Sequence, residues 1–256
     1  MMRQAVCLSL MVVLLTCVAM FSSPVSVHAD IPEELVLYYT FDTEDKGTIT
    51  DLSGNGNNAN IKGQPEWVAG KIGDALKFGA NGQSLEVPDS DTLKSDEITI
   101  ALWVNWSGET LPNHFIEKFT YLSGGYVFKM ENTETNLWLY DENAAAHMYR
   151  ARPQPVPGEW THLAVTFDGS VQKGYVNGIK GLDMPWVGAI GHVNVPLNMG
   201  AHSGMTFTGM LDEVAIYSRA LTDEEILDTM ENGHIIAGAV RPMDKLSSTW
   251  GRLKKL

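Results

Sequence analysis

Apolar and polar side chains alternate with a period of two along most of this chain, as strands do when one face lies on a core. Leu35, Leu37, Tyr39 and Phe41 share one face, as do Ile98, Ile100, Leu102, Val104 and Trp106, and again Leu163, Val165 and Phe167. Further strands are predicted over 126–130, 137–141, 147–150, 171–176 and 195–199, with clusters of Gly, Asn, Asp and Pro marking the turns. In 211–217, alternation sets Leu211, Glu213, Ala215 and Tyr217 on one face and Asp212, Val214 and Ile216 on the other, so that a carboxylate leads an otherwise apolar face. Only 222–232 reads as helix, since Thr222 and Glu225 have the spacing of a capping box. Many short strands and one helix predict an antiparallel sandwich rather than an α/β fold.

Seven short motifs follow one another in a fixed order: DLSGNGN at 51–57, GKIGDALKF at 70–78, SLEVP at 84–88, ITIALWVNW at 98–106, WTHLAVTFDG at 160–169, YVNG at 175–178 and GMLDEVAIYSRALTDEEI at 209–226. Over residues 33–235 this set resembles the laminin-G-like jelly roll. The resemblance implies an all-β fold: a concanavalin A-like jelly-roll sandwich of two antiparallel sheets with one short C-terminal helix, its first and last strands brought together. Members of that family mostly bind and rarely catalyse. Related jelly rolls often hold a structural calcium where the first and last strands meet, which implies Asp42 and Asp212 as ligands here. The loop 51–58 adds Asp51, Asn55 and Asn57 as candidate oxygens, and calcium favours six to eight such ligands. Equally, DLSGNGN is a turn-rich loop and Asp212 makes local hydrogen bonds.

Charge and cysteine usage sharpen the picture. Arg3, an apolar run from Ala5 to Phe21 and small residues up to Ala29 have the form of a secretory signal peptide, with cleavage before Asp30. An uncleaved anchor helix is the rival reading, against which the run is shorter than the roughly 20 residues of a membrane span, and a lipoprotein signal ending at Cys17 is another. The expected organisation is a signal at 1–29, one domain at 30–237 and a basic tail at 238–256. The expected location is secreted, cell-surface or periplasmic. Both cysteines, Cys7 and Cys17, fall within the signal, so the mature chain has no disulfide to use. Residues 30–237 carry 12 Lys and Arg against 30 Asp and Glu, a net −18, while 238–256 carries five basic residues and Asp244, a net +4. A body so acidic repels nucleic acid, and its carboxylates are hard ligands for calcium.

The candidate ligand site is aromatic. Trp138 and Tyr140 share a face of one strand, and His147 and Tyr149 share a face of the next, so a hairpin could oppose them as a platform for sugar rings. Such pairs also simply pack across strands. Trp138 is expected to lean to the core and Tyr140, with its hydroxyl, to water. Trp67, Trp186 and His114 are expected in loops.

Catalytic patterns are missing. The chain has no HExxH, no GxSxG, no phosphate-cradling glycine loop, no Glu-x-Asp-x-x-Glu and no cysteine nucleophile in its mature part. Strict alternation would point Asp212 and Glu213 to opposite faces, which rules them out as a glycosidase pair. The reading is therefore an exported, non-catalytic binding or adhesion module for a glycan or an extracellular protein partner, with a structural calcium. Its alternatives are a structural or assembly protein without sugar affinity and a divergent glycan-active enzyme.

Overall fold

A computed structural model describes residues 31–234, apart from 44–46, 80–81, 110–112, 122, 132–133, 152–153 and 203–204. The expected signal, both cysteines and the expected tail lie outside the described residues.

Two antiparallel sheets pack face to face. The first runs, in spatial order, Ile179–Lys180, Val171–Val176, Trp160–Phe167, Ile98–Trp106, Gly209–Tyr217, Asp74–Phe78 and Glu66–Ala69, with Leu35–Tyr39 paired to Gly209–Tyr217 and Met184–Pro185 to Val171–Val176. The second has eight strands in the order Ala146–Ala151, Glu134–Tyr140, Gly124–Glu131, Asn113–Thr120, Leu197–Met199, Ser84–Val87, Ala59–Lys62 and Thr48–Ile49. Leu35 pairs with Tyr217 and Tyr39 with Val214, so the first and last strands meet as expected.

Alternation builds the core between the sheets. Ile98, Ile100, Leu102, Val104, Leu163, Val165 and Phe167 from one sheet meet Phe128, Met130, Leu137 and Leu139 from the other, all buried. Burying one such side chain is worth about 1.5–3 kcal/mol, which suits a fold without disulfides among the described residues.

A smaller cluster lies on the outer side of the first sheet. Ala101, Ala164 and Ala215 keep the sheet surface low, and Leu221 and Ile226 settle on them beside Tyr175 and Tyr217. Ile226 belongs to the helix Asp223–Asn232, which starts at Thr222 with both halves of the capping box in place. Arg219 holds Glu225 through two hydrogen bonds of 2.8 and 2.7 Å and keeps that carboxyl low, at about 2.

Two bulges change faces that strict alternation predicts. The Leu35–Tyr39 pairing shifts register between Leu35 and Leu37, which moves Leu35 out of the main core and into the cluster under the helix. Gly209–Tyr217 shifts between Asp212 and Ala215, and Glu213 there has φ 50. The extra residue unites Leu211 with Val214 and Ile216 in the main core and sends Ala215 and Tyr217 to the helix side. Asp212 is thereby parted from Val214 and Ile216, with which alternation had grouped it.

Candidate functional site

The outer face of the eight-stranded sheet carries the densest array of ligand-competent side chains. The α-helix Asp223–Asn232 packs on the other sheet. Register defines the array, because residues paired across an antiparallel ladder point the same way. One row runs Met148, Trp138, Val127, Glu117, Asn198, Glu86 and Asn60. A second runs Ala146, Tyr140, Gly125 and Phe119, and a third Arg150, Asn136, Lys129 and His114.

Four rings form a ladder across these rows. Tyr121 meets Phe119 edge to face at 5.0 Å, Phe119 stacks on Tyr140 at 5.3 Å with planes 18° apart, and Tyr140 lies 6.3 Å from Trp138. The ammonium of Lys129 sits 3.7 Å over the Trp138 ring and 3.0 Å from Glu131 Oε2. Gly125 makes the Phe119 stack possible. Its φ is 111°, and a Cβ there would strike the Lys118 carbonyl and the Phe119 backbone.

A bulge completes the polar row. The ladder between Asn113–Thr120 and Gly124–Glu131 shifts register between His114 and Ile116. Residues three apart on a regular strand point opposite ways, but the shift returns His114 and Glu117 to one face, where His114 Nδ1 lies 2.7 Å from Glu117 Oε2.

The four residues expected to form one platform are divided between the two faces. Trp138 pairs with Met148, while Leu139 pairs with His147 and Leu137 with Tyr149, so His147 and Tyr149 point toward the sandwich interior. Tyr149 is buried in the core, and its hydroxyl approaches the Gly174 carbonyl at 3.5 Å. His147 lies flat on Trp186 at 3.8 Å, and Trp186 in turn stacks on Phe167 at 4.5 Å. Trp186 is thus a packing residue. Trp67 and His114, also expected in loops, belong to strands, and Trp67 packs against the core. Tyr140, expected nearer to water than Trp138, is the more buried of the two at 5% exposure. Glu117 and Phe119 escaped sequence reading because the bulge hides the alternation of Asn113–Thr120, and Tyr121 and Lys129 because their places beside Phe119 and Trp138 depend on register across strands. The pattern Phe119–Tyr121, two aromatics two apart, was the available clue.

The cation candidates separate into two places. Asp42 and Asp212 flank one loop: Asp42 Oδ1 accepts from the Asp74 amide at 2.9 Å, and Asp212 Oδ2 accepts from the amides of Lys71 and Ile72 at 2.8 and 3.0 Å. Burial first, and then the Asp42 charge, raise the Asp212 carboxyl to about 6 against the pull of those amides. Asp51 and Asn57 lie elsewhere, in a clip on the first strand. The Asp51 carboxylate accepts from the amides of Tyr38, Ser53 and Asn57 and from the Ser53 hydroxyl, while the Asn57 amide donates to the Val36 carbonyl. Among the described residues no group of three or more His, Cys, Asp or Glu is disposed to hold a metal.

The bulge at Glu213 also gathers titratable groups. Glu213 accepts a hydrogen bond from the Tyr38 hydroxyl, and burial lifts its carboxyl to about 7. Burial raises the Tyr38 hydroxyl as well, so it remains a donor. Asp212 pairs with Trp103, which alternates with the core residues Leu102 and Val104, and Glu213 bonds Tyr38 of the outer cluster, so the two carboxylates lie on one side of the sheet rather than on opposite faces. They are 0% and 3% exposed, which withholds them from a substrate. His234 packs on Tyr38 and Tyr217. His162 is edge-on to Trp103 with neither ring nitrogen bonded. Burial lowers both histidines to about 3.

Comparison with known proteins agrees with the fold. Domain 4 of AbnA, a GH43 extracellular arabinanase from Geobacillus stearothermophilus solved with arabinotriose, superposes with a TM-score of 0.64 at 24% identity, covering 76% of this chain and 97% of that one. The binding domain of Paraclostridial Mosquitocidal Protein 1 superposes at 0.66 with 16% identity, covering 77% and 52%. The receptor binding domain of botulinum neurotoxin D gives 0.61 at 15%, covering 77% and 52%. At these identities the likeness is one of fold. Human Pappalysin-1 is 23% identical over 204 residues, 70% of this chain, and the chain spans only 12% of its length. The concanavalin A-like lectin/glucanases family Laminin_G_3 matches residues 78–227, more than half of the chain, and the chain belongs to that family.

Proposed function

We propose that this protein is an exported, non-catalytic binding module whose ligand is a glycan held on the outer face of the eight-stranded sheet. The observation that carries this reading is the ring ladder from Tyr121 to Trp138, with the half-buried Asn198 and Glu86 and the exposed Asn60 in the same row as Trp138. Sugars present C–H faces to aromatic rings and hydroxyls to planar polar groups, and this face supplies both. The alignable arabinanase domain was solved with arabinotriose, which supports the class of ligand. Export rests on the N-terminal pattern and cleavage near Ala29.

A calcium ion between Asp42 and Asp212 belongs to the same proposal. Two carboxylates converging on one loop, one of them with a raised pKa, are a like-charge pair that a dication would relieve. Backbone carbonyls and water would have to supply the remaining ligands.

A glycan array probed with the purified chain tests the function. Signal on saccharides that falls when Tyr121 and Trp138 are replaced by Ala supports it, and an array without signal removes it. A protein partner is the second reading. It is favoured by a cleft of about 350 Å³ at the sandwich edge, lined by Met148, Tyr149, Arg150, Leu182 and Met184, with Leu182 85% exposed.

A further inference from the structure

We infer that the outer face of the eight-stranded sheet takes an uncharged oligosaccharide several units long and rejects sulfated or uronic chains, an inference that rests on the glycan reading above.

The charges on this face are already committed. Lys129 lies against Glu131 at 3.0 Å and over Trp138, His114 against Glu117 at 2.7 Å, Arg150 against Glu134 at 3.0 Å, and Lys62 against Glu86 at 3.3 Å. Lys129, Arg150 and Lys62 are each matched by a carboxylate on the same face, and the His114 ring is bonded to another. Lys129, His114 and Glu117 are buried, so drawing any of them away from its partner would strand a desolvated polar or charged group. A sulfate or carboxylate on the ligand would therefore meet carboxylates without a spare cation, among the described residues of this face, to offset them. The net −18 of residues 30–237 adds a long-range repulsion of the same sign. Hydroxyls meet no such barrier. The half-buried Glu86 can accept from them, and the side chains of Asn198 and Asn60 stand in the same row.

The ring ladder sets the length. Its centroids are 5.0, 5.3 and 6.3 Å apart, and the Phe119–Tyr140 step crosses the intervening strand. Tyr140 is buried in the ladder, and one sugar ring can cover one or two of the more open rings Tyr121, Phe119 and Trp138, so these are engaged together only by a chain lying across the strands. Tyr121, 69% exposed at the open end, is the ring whose contribution separates long ligands from short ones.

The test is calorimetric titration of the full chain with neutral arabino-, xylo-, cello- and manno-oligosaccharides of increasing length, and with heparin and oligogalacturonate, each at low and high salt. The expected result is binding of at least one neutral series, tighter with each added unit until the ladder is filled, and unchanged by salt. Tyr121→Ala should weaken the longest ligand about tenfold, leave the disaccharide unaffected and leave the melting temperature in place. Binding of heparin or oligogalacturonate that is lost at high salt and also lost in Tyr121→Ala would overturn the uncharged class while sparing the glycan reading. Neutral binding without length dependence would overturn the proposed span, and an absence of binding to every saccharide would remove both readings.

Discussion

The Phe119 ring lies over the Tyr140 ring with centroids 5.3 Å apart and planes 18° from parallel, although a whole strand separates the two backbones. Gly125 is the residue of that strand between them, and it offers no side chain to obstruct the contact. Gly125→Ala should therefore be costly twice over, through the positive φ and through collision with the Lys118 carbonyl. A loss of roughly 2 kcal/mol or more in urea unfolding is expected. A neutral result would show that the strand can shift and that the stack is not fixed by this glycine.

Glu213 makes stability fall as pH rises. Its carboxyl holds a proton to about 7 when folded, against 4.5 for the free group, so the folded chain binds more protons between those values. The stabilisation is complete below about 4.5 and is lost as pH climbs through 7. Glu213→Gln keeps an acceptor for Tyr38 and carries no titration, so its unfolding free energy should decline less than that of the wild type between those limits. Parallel slopes would mean that the carboxyl is ionised throughout.

His162 acts in the opposite sense. Its pKa is lowered from 6.5 to about 3 by burial, so the unfolded chain takes up a proton that the folded chain refuses, and stability is lost as pH falls below 6.5. His162→Leu has no proton to take up and removes two buried nitrogens that lack partners. The difference in melting temperature between neutral and mildly acid solution should shrink in the variant. His234 contributes a residual slope of the same sign.

Asp51 and Asp42 should respond differently to chelation. The Asp51 carboxylate satisfies three amides and a hydroxyl, so Asp51→Ala is expected to cost about 2–4 kcal/mol whether or not calcium is added. Asp42→Ala should leave the calcium-free melting curve nearly unchanged and abolish any shift produced by calcium. A wild-type curve indifferent to both calcium and chelator eliminates the ion.

Strands with unbroken alternation were legible from the residues alone. Ile98–Trp106 pairs with Trp160–Phe167 without a break, and its core face is the one that Ile98, Ile100, Leu102, Val104 and Trp106 define. The helix start was legible for a similar reason, since the capping box is a local device. Sites with an inserted residue were not. At Glu213 the bulge moved Asp212 away from Val214 and Ile216 and reunited it with Glu213, and at Phe115 it concealed the strand that carries Glu117 and Phe119. A period-two reading carries no register, so it could place Trp138 and Tyr140 together but could not tell that Met148, rather than His147, stands opposite Trp138.

The pairing of Leu35 with Tyr217, joined by the Ser218 amide to the Glu34 carbonyl and by His234 against Tyr38, brings both ends of the folded body to one pole. Whatever sequence adjoins residues 31 and 234 leaves from the sheet that carries the helix, while the ring ladder looks out from the opposite sheet. Tethered at that pole to a surface or to a neighbouring domain, the body would hold its ladder away from the attachment point. In that arrangement the sandwich would act as a spacer as well as a scaffold, keeping the face of the ring ladder clear of the attachment point.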